Sequence, residues 1–319
     1  MPSTALTQVL RPRPAAAVVS YKPDLDRLLD AFYAGRNERT LAAYRADLES
    51  FRLFLSAATA VEASRRLLAV SHGEANAIGL AYRAHMTDRG LQAATINRRL
   101  AALRSLVKLA NTLGLVPWTL AVENVKTQAY RDTRGPGLDG FKAILVAAQA
   151  QHGAKALRDV ALLHLLHDLG LRRGEAVRLD VADVDLAGNR LSILGKARSQ
   201  KEYVTVPEPT KAALAAWLEV RGAHEGPLFV NFDRAEKGSG RLSGAAVYYI
   251  VRALGAESGL VVRPHGLRHL AITSALDLTK GDMRAVQKFS RHRDVRVLNA
   301  YDDNRQDLGG EVARLVAGQ

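Results

Sequence analysis

Apolar residues recur at helical spacing from Tyr21 to Val116. LDRLLDAFYAG predicts a short amphipathic helix stopping at Gly35, a residue suited to the turn that ends a helix. NERTLAAYRADLESFRLFLSAA follows, with Leu41, Tyr44, Leu48, Phe51 and Leu55 along one face. Ser71 and Glu74 have the spacing of a capping box and predict the start of a third helix, ending near Gly90. The fourth, AATINRRLAALRSLVKLANTLG, puts Ile96, Leu100, Leu103, Val107 and Ala110 on one stripe. Arg98, Arg99, Arg104 and Lys108 fall off that stripe, on a face that suits either solvent or a polyanion.

Residues 117–137 break the periodicity with two prolines and two glycines and carry Lys126, Arg131 and Arg134, so a basic linker is expected there. Helices are then expected over 138–150 and 155–169, and LRRGEAVRL begins another, with Arg172 just after Gly170. RLSIL and EYVTV are β-branched runs separated by GKARSQK, which reads as a hairpin with Lys196 and Lys201 near its tip. Helices return over about 209–221 and 243–257, with the short apolar run PLFV between them. The terminal LGGEVARLVAG has Leu308, Val312, Leu315 and Val316 on one side, a stripe that has to be buried at home or on a neighbour. Residues 1–20, with three prolines and no helical repeat, are expected to be a disordered arm. The expected order is therefore an arm over 1–20, a helical domain over 21–116, a linker over 117–137 and a mainly helical second domain over 138–319.

Composition narrows the partners. Lys and Arg number 45 against 32 Asp and Glu, a formal charge of +13 spread along the chain, as in a protein that encloses nucleic acid. There is no cysteine, which excludes disulfides and thiolate metal sites. No apolar run reaches the roughly 18 residues of a membrane span, and the N-terminus lacks a signal-peptide pattern. A soluble, cytoplasmic, nucleoid-associated protein is expected, with no membrane contact.

The densest chemistry lies between Arg263 and Tyr301. His265 and Arg268, three apart, share a helix face just after Pro264, which suits a helix start and the anion preference found there. His292 follows in a basic run, and Tyr301 closes the stretch. A tyrosine hydroxyl, with a pKa of about 10, attacks only a strongly activated electrophile. Two arginines can supply that activation by gripping the oxygens of a phosphodiester. A lysine can protonate the departing sugar oxygen, and histidines can move protons. His265 and His269 are four apart, but no third ligand or H-E-x-x-H pattern accompanies them, so neither metal nor cofactor is expected.

These residues bring a family into view. The chain resembles the tyrosine recombinases, the phage integrase family, from about residue 24 to 317. RNERTLAAYRADLESF and TINRRLAALRSLVKLA look like core-binding segments, and LGLRRGEAVRLDVADVD looks like the region of the first catalytic arginine. LGKARSQKEYVTVP is similar to the lysine-bearing hairpin, PHGLRHLAITSAL to the H-x-x-R box, and GDMRAVQKFSRHRDVRVLNAY to the stretch ending at the nucleophile. The resemblance implies a mainly α fold: a SAM-like core-binding domain and a mainly helical catalytic domain with a small antiparallel β-sheet. It implies Tyr301 as nucleophile, Arg172 and Arg268 on the phosphate, and Lys196 as general acid. His265 is implied as general base, His292 fills the histidine-or-tryptophan position, and Glu175 is the supporting acid. Arg98, Arg99, Lys108, Lys126, Arg131, Arg134 and Lys201 are expected on double-stranded DNA.

The implied activity is site-specific recombination through a 3′-phosphotyrosine and a Holliday junction. It would run in a homotetramer joined through the C-terminal helix. Ser290 and Arg291 depart from the Leu-Gly that often precedes the family's second histidine, and GKARSQK leaves Lys201 open as the acid. A type IB topoisomerase or telomere resolvase, and a non-catalytic DNA-binding protein on this scaffold, are the alternatives.

Overall fold

The computed structural model describes residues 25–36, 38–126, 135–195, 200–232, 240–301 and 308–318. The expected arm, Arg131, Arg134 and Lys196 lie outside the described residues. The chain forms two compact units, Met1–Gln128 and Ala129–Gln319.

The first unit holds α1 (Leu25–Tyr33), α2 (Glu38–Phe54), α3 (Ala60–Ala69), α4 (His72–Asp88) and α5 (Ala93–Thr112). The Ser71–Glu74 box is formed at the start of α4, with Ser71 N–H donating to Glu74 Oε2 at 2.9 Å and Glu74 N–H to Ser71 Oγ at 3.3 Å. The α5 stripe is buried at all five expected positions. One helix was not expected: α3, capped by Thr59, which accepts from Glu62 N–H at 3.1 Å. It buries Ala63 and Ser64 beside Leu67 and Leu68, so half its inner face is small or polar and carries little hydrophobic signal. Residues 116–125 run back over the helices. Leu120 and Val122 are buried, and Val125 exchanges two hydrogen bonds with the Asn97 amide, at 2.8 and 2.9 Å.

The second unit holds α6 (Gly137–Gln149), α7 (Ala154–His167), α8 (Arg173–Ala176), α9 (Glu208–Arg221), α10 (Gly244–Glu257), α11 (Pro264–Leu278), α12 (Met283–Ser290) and α13 (Leu308–Ala317). Strands β1 (Val184–Asp185), β2 (Arg190–Leu194) and β3 (Lys201–Thr205) make one antiparallel sheet in that order, with Ser192 opposite Tyr203. The expected hairpin is β2–β3; β1, two residues long, is too short for a periodic signal. The core gathers around α7, where Ala161, Leu162, Leu163, Leu165 and Leu166 are all fully buried. Each such leucine removed from water contributes about 1.5–3 kcal/mol, so α7 is a rigid base for the turn that follows it. No helix among the described residues is long and apolar enough to cross a membrane.

Candidate active site

Three segments of the second unit meet at one place. The first is the turn after α7. Gly170, at φ +52°, reverses the chain, and Leu171 N–H donates to Leu165 O at 3.1 Å. That turn delivers Arg172 as the residue before α8. Its N–H donates to Glu175 Oε2 at 2.9 Å and its Nη1 to Glu175 Oε1 at 2.7 Å. Burial alone would raise the Glu175 carboxyl; the Arg172 N–H and the Arg291 and Arg172 guanidiniums outweigh it and hold the carboxyl below its usual range.

The second segment is α11, with Pro264 at its first position and nearly every later residue to Thr273 buried. His265 is the exposed member of the first turn, yet enough protein surrounds its ring to lower its pKa, by burial first and then by Arg268 and Arg172. Arg268 is 2% exposed. Its Nη1 donates to Gly170 O and its Nη2 to Ser290 O, so it spans the other two segments. Burial, then the like charges of Arg172 and Arg291, push it down to about 10, where it remains charged at neutral pH.

The third segment runs from the end of α12 to Tyr301. Asp282 caps α12 by accepting from Arg284 and Ala285 N–H at 2.9 and 3.0 Å. The helix ends at Arg291 in the left-handed region, φ 57° and ψ 35°. His292 Nε2 lies 3.3 Å from Arg268 Nη2 and its Nδ1 lies 2.9 Å from Ser290 Oγ. A guanidinium only donates, so Nε2 is the acceptor and the ring proton sits on Nδ1, donated to Ser290. Burial, then Arg268, Arg172, Arg291 and His265, hold His292 down to about 4. Tyr301 ends a short 3-10 helix, Val295–Ala300, and its N–H donates to Leu298 O at 2.8 Å. Ile272, Leu276, Val286 and Leu298 pack its ring, which also lies against His269 and His292 with centroids 4.9 and 5.5 Å apart.

Of the expected site residues, the structure therefore brings together Arg172, Glu175, His265, Arg268, His292 and Tyr301. Lys201 lies on β3, and its Nζ is paired with Asp183 Oδ1. In the other unit, Arg98 Nη1 donates to Asp47 Oδ2 at 2.7 Å, and Arg99 Nε lies 3.9 Å from Asp47 Oδ1. Lys108 and Lys126 are exposed. Arg104 is used structurally, holding Val122 O and, at 2.7 Å, Asn124 Oδ1. Arg291, Ser290 and His269 also belong to the cluster and were not among the expected site residues. For the first two, the basic run around His292 and the departure from Leu-Gly were the available signals; His269 had only its place beside Arg268.

Comparison with known proteins fits this geometry. The phage integrase family matches residues 139–307, and its N-terminal SAM-like domain matches residues 25–112. A tyrosine recombinase of Synechococcus elongatus is 41% identical over 289 residues, covering 88% of this chain and 90% of that protein. A tyrosine recombinase of a Synechocystis species is 40% identical, covering 78% of this chain and 81% of that protein. In fold, the chain is similar to XerH recombinase bound to a palindromic difH substrate, with a TM-score of 0.66, 18% identity, and coverage of 91% and 85% of the two chains. It is also similar to a lambda integrase dimer bound to a core site, with a TM-score of 0.65, 18% identity, and coverage of 88% and 76%. The chain belongs to the phage integrase family and is a tyrosine-type site-specific recombinase.

Proposed function

We propose that the chain cuts and rejoins duplex DNA at specific sites through Tyr301. The Tyr301 oxygen attacks the scissile phosphorus, the bond to the 5′ oxygen breaks, and a 3′-phosphotyrosine forms. Arg172 and Arg268 grip the non-bridging oxygens, whose negative charge grows in the transition state. His265, neutral at pH 7, takes the phenol proton, and Lys196 gives one to the leaving 5′ oxygen, so protons balance. Lys201 is already paired with Asp183, so the role falls to Lys196. His292 accepts from Arg268 and fixes its fork. The bond energy stays in the phosphotyrosine link, so rejoining to a partner strand requires no ATP.

The observation that carries this reading is one chain of contacts: the Tyr301 ring against His292, His292 on Arg268, and Arg268 within electrostatic reach of Arg172. A tyrosine buried for packing alone has no need of a cationic pocket.

The domain assignment of 21–116 as core-binding and 138–319 as catalytic, with a basic linker between, belongs to the same proposal. Arg98, Arg99, Lys108, Lys126, Arg131, Arg134 and Lys201 are proposed on DNA phosphates, Arg98 and Arg99 with Asp47 as their anchor. Cleavage proceeds in a homotetramer on two sites, by way of a Holliday junction, in the bacterial cytoplasm. The α13 helix docks on a neighbour, since Val312, Leu315 and Val316 are 57%, 71% and 69% exposed. The test is a plasmid carrying two copies of a duplex that the protein selects from DNA flanking its gene. Deletion of the intervening segment is expected. Relaxation of any supercoiled plasmid, without site dependence, would indicate a type IB topoisomerase instead.

A further inference from the structure

Arg291 occupies a costly place. Its backbone is left-handed, φ 57°, a conformation that glycine adopts freely and other residues adopt at a cost. Its side chain is only 5% exposed, and its Nε is buried without a partner among the described residues. Such strain points to a function that offsets it.

The contacts indicate which function. Arg291 Nη1 donates to Leu169 O at 3.1 Å and Phe289 O at 2.8 Å. Its Nη2 reaches Leu169 O at 3.1 Å, Gly170 O at 3.2 Å and Glu175 Oε2 at 3.4 Å. Gly170 O is also the anchor of Arg268, and Glu175 is the anchor of Arg172. One guanidinium thus holds the supports of both arginines assigned to the phosphate, from a segment distant from each in sequence.

We propose that Arg291 is a positioning residue for strand cleavage, holding Glu175 and the Leu169–Gly170 turn so that Arg172 and Arg268 stay aimed at the scissile phosphate. This rests on the recombinase reading above. Arg291 also helps, after the Arg172 N–H, to hold Glu175 ionised. The other ionisable groups facing the pair are Arg172 from the α8 turn, Arg268 from α11, Glu202 from β3 and His292. Without Arg291, the Glu175 carboxyl loses one of the cations that hold it ionised, so it takes up a proton at a higher pH.

The test uses the full chain and a nicked suicide duplex, its site selected by the protein from flanking DNA. Duplex affinity and the single-turnover rate of covalent adduct formation are followed across acid pH. The proteins are the wild type, Arg291→Gly, Arg291→Lys and, as control, Tyr301→Phe. Arg291→Gly relieves the left-handed backbone and removes the whole side chain, guanidinium included. Its affinity is expected within about threefold of wild type and its adduct rate about 30-fold lower, the loss typical of a misaligned supporting shell. The acid limb of its rate profile should move to higher pH. Arg291→Lys, which keeps the charge without the fork, should return the limb but not the full rate; it carries the test alone if the glycine variant fails to fold. A wild-type rate and an unmoved limb in Arg291→Gly would overturn the assignment while leaving the recombinase reading intact. An adduct that persists in Tyr301→Phe would overturn both.

Discussion

His292 Nε2 lies 3.3 Å from Arg268 Nη2 and can only accept from it, so the imidazole is neutral with its proton on Nδ1. This fixes the charge state of the pocket before any DNA arrives. The arginines supply the positive charge, and His265 and His292 remain free of theirs. Nitrogen-15 NMR of the free protein should show His292 Nε2 unprotonated at neutral pH, titrating near 4. A midpoint near 6.5, the ordinary histidine value, would contradict the burial and charge argument.

The same shift makes stability depend on pH. The unfolded chain protonates His292 near 6.5 and the folded chain only near 4, so unfolding takes up a proton between those values. Stability is therefore lost as pH falls through that window. The full shift corresponds to about 3 kcal/mol, and solvent screening of a half-buried ring reduces this to on the order of 1 kcal/mol. His265 acts in the same direction. Glu175, held below its ordinary value, contributes stability above the unfolded carboxylate pKa, and that part is lost last, as pH falls through its folded value. Urea unfolding from pH 7 to 4 should show the decline, with a shallower slope in His292→Gln.

Arg268 separates stability from activity. Its depression, caused by burial and then by the like charges of Arg172 and Arg291, means that the site disfavours the charge it contains. Against this stand the carbonyls of Gly170 and Ser290, each of which would lose a charged donor worth roughly 1–3 kcal/mol. Gly170 O keeps Arg291 as a second donor. The opposing effects nearly cancel. Arg268→Met should change the unfolding free energy by no more than about 1 kcal/mol while slowing adduct formation at least about a hundredfold. A loss of 3 kcal/mol or more in denaturant titration would mark Arg268 as structural.

Gly135 packs directly against the first two turns of α11. A Cβ on Gly135 would stand 2.5 Å from Gly266 O and 2.6 Å from Leu270 Cβ, contacts that real side chains do not make. Gly135→Ala should destabilise the second unit by about 1–3 kcal/mol and displace the turn carrying His265 and Arg268. Calorimetry together with adduct assays would show both effects. An unchanged melting temperature would mean that the segment before α6 does not bear on α11.

Truncation before Leu308 removes a helix whose Val312, Leu315 and Val316 are exposed. The melting temperature should be unchanged, while multimers on DNA, measured by sedimentation velocity, should be lost. Intact assembly would refute docking of α13 on a neighbour.

The sequence was most legible where chemistry and periodicity coincide. The α5 stripe, the Ser71–Glu74 box, the β2–β3 hairpin and the spacing of His265 to Arg268 are local patterns that the structure realises. Partnerships between distant segments were not legible. Nothing near Arg291 in sequence announces that it will hold Gly170 O and Glu175, or that Asp183 will hold Lys201 across the sheet. Helix α3 escaped for a different reason, its inner face being built partly of alanine and serine.

Everything rests on Tyr301 becoming covalently joined to DNA. The most direct measurement is to trap the adduct on a nicked suicide duplex, digest it, and map the modified peptide by mass spectrometry. The expected result is a 3′-phosphonucleotide on Tyr301 that disappears in Tyr301→Phe. A modification mapping to any other residue, or an adduct undiminished in Tyr301→Phe, would contradict it.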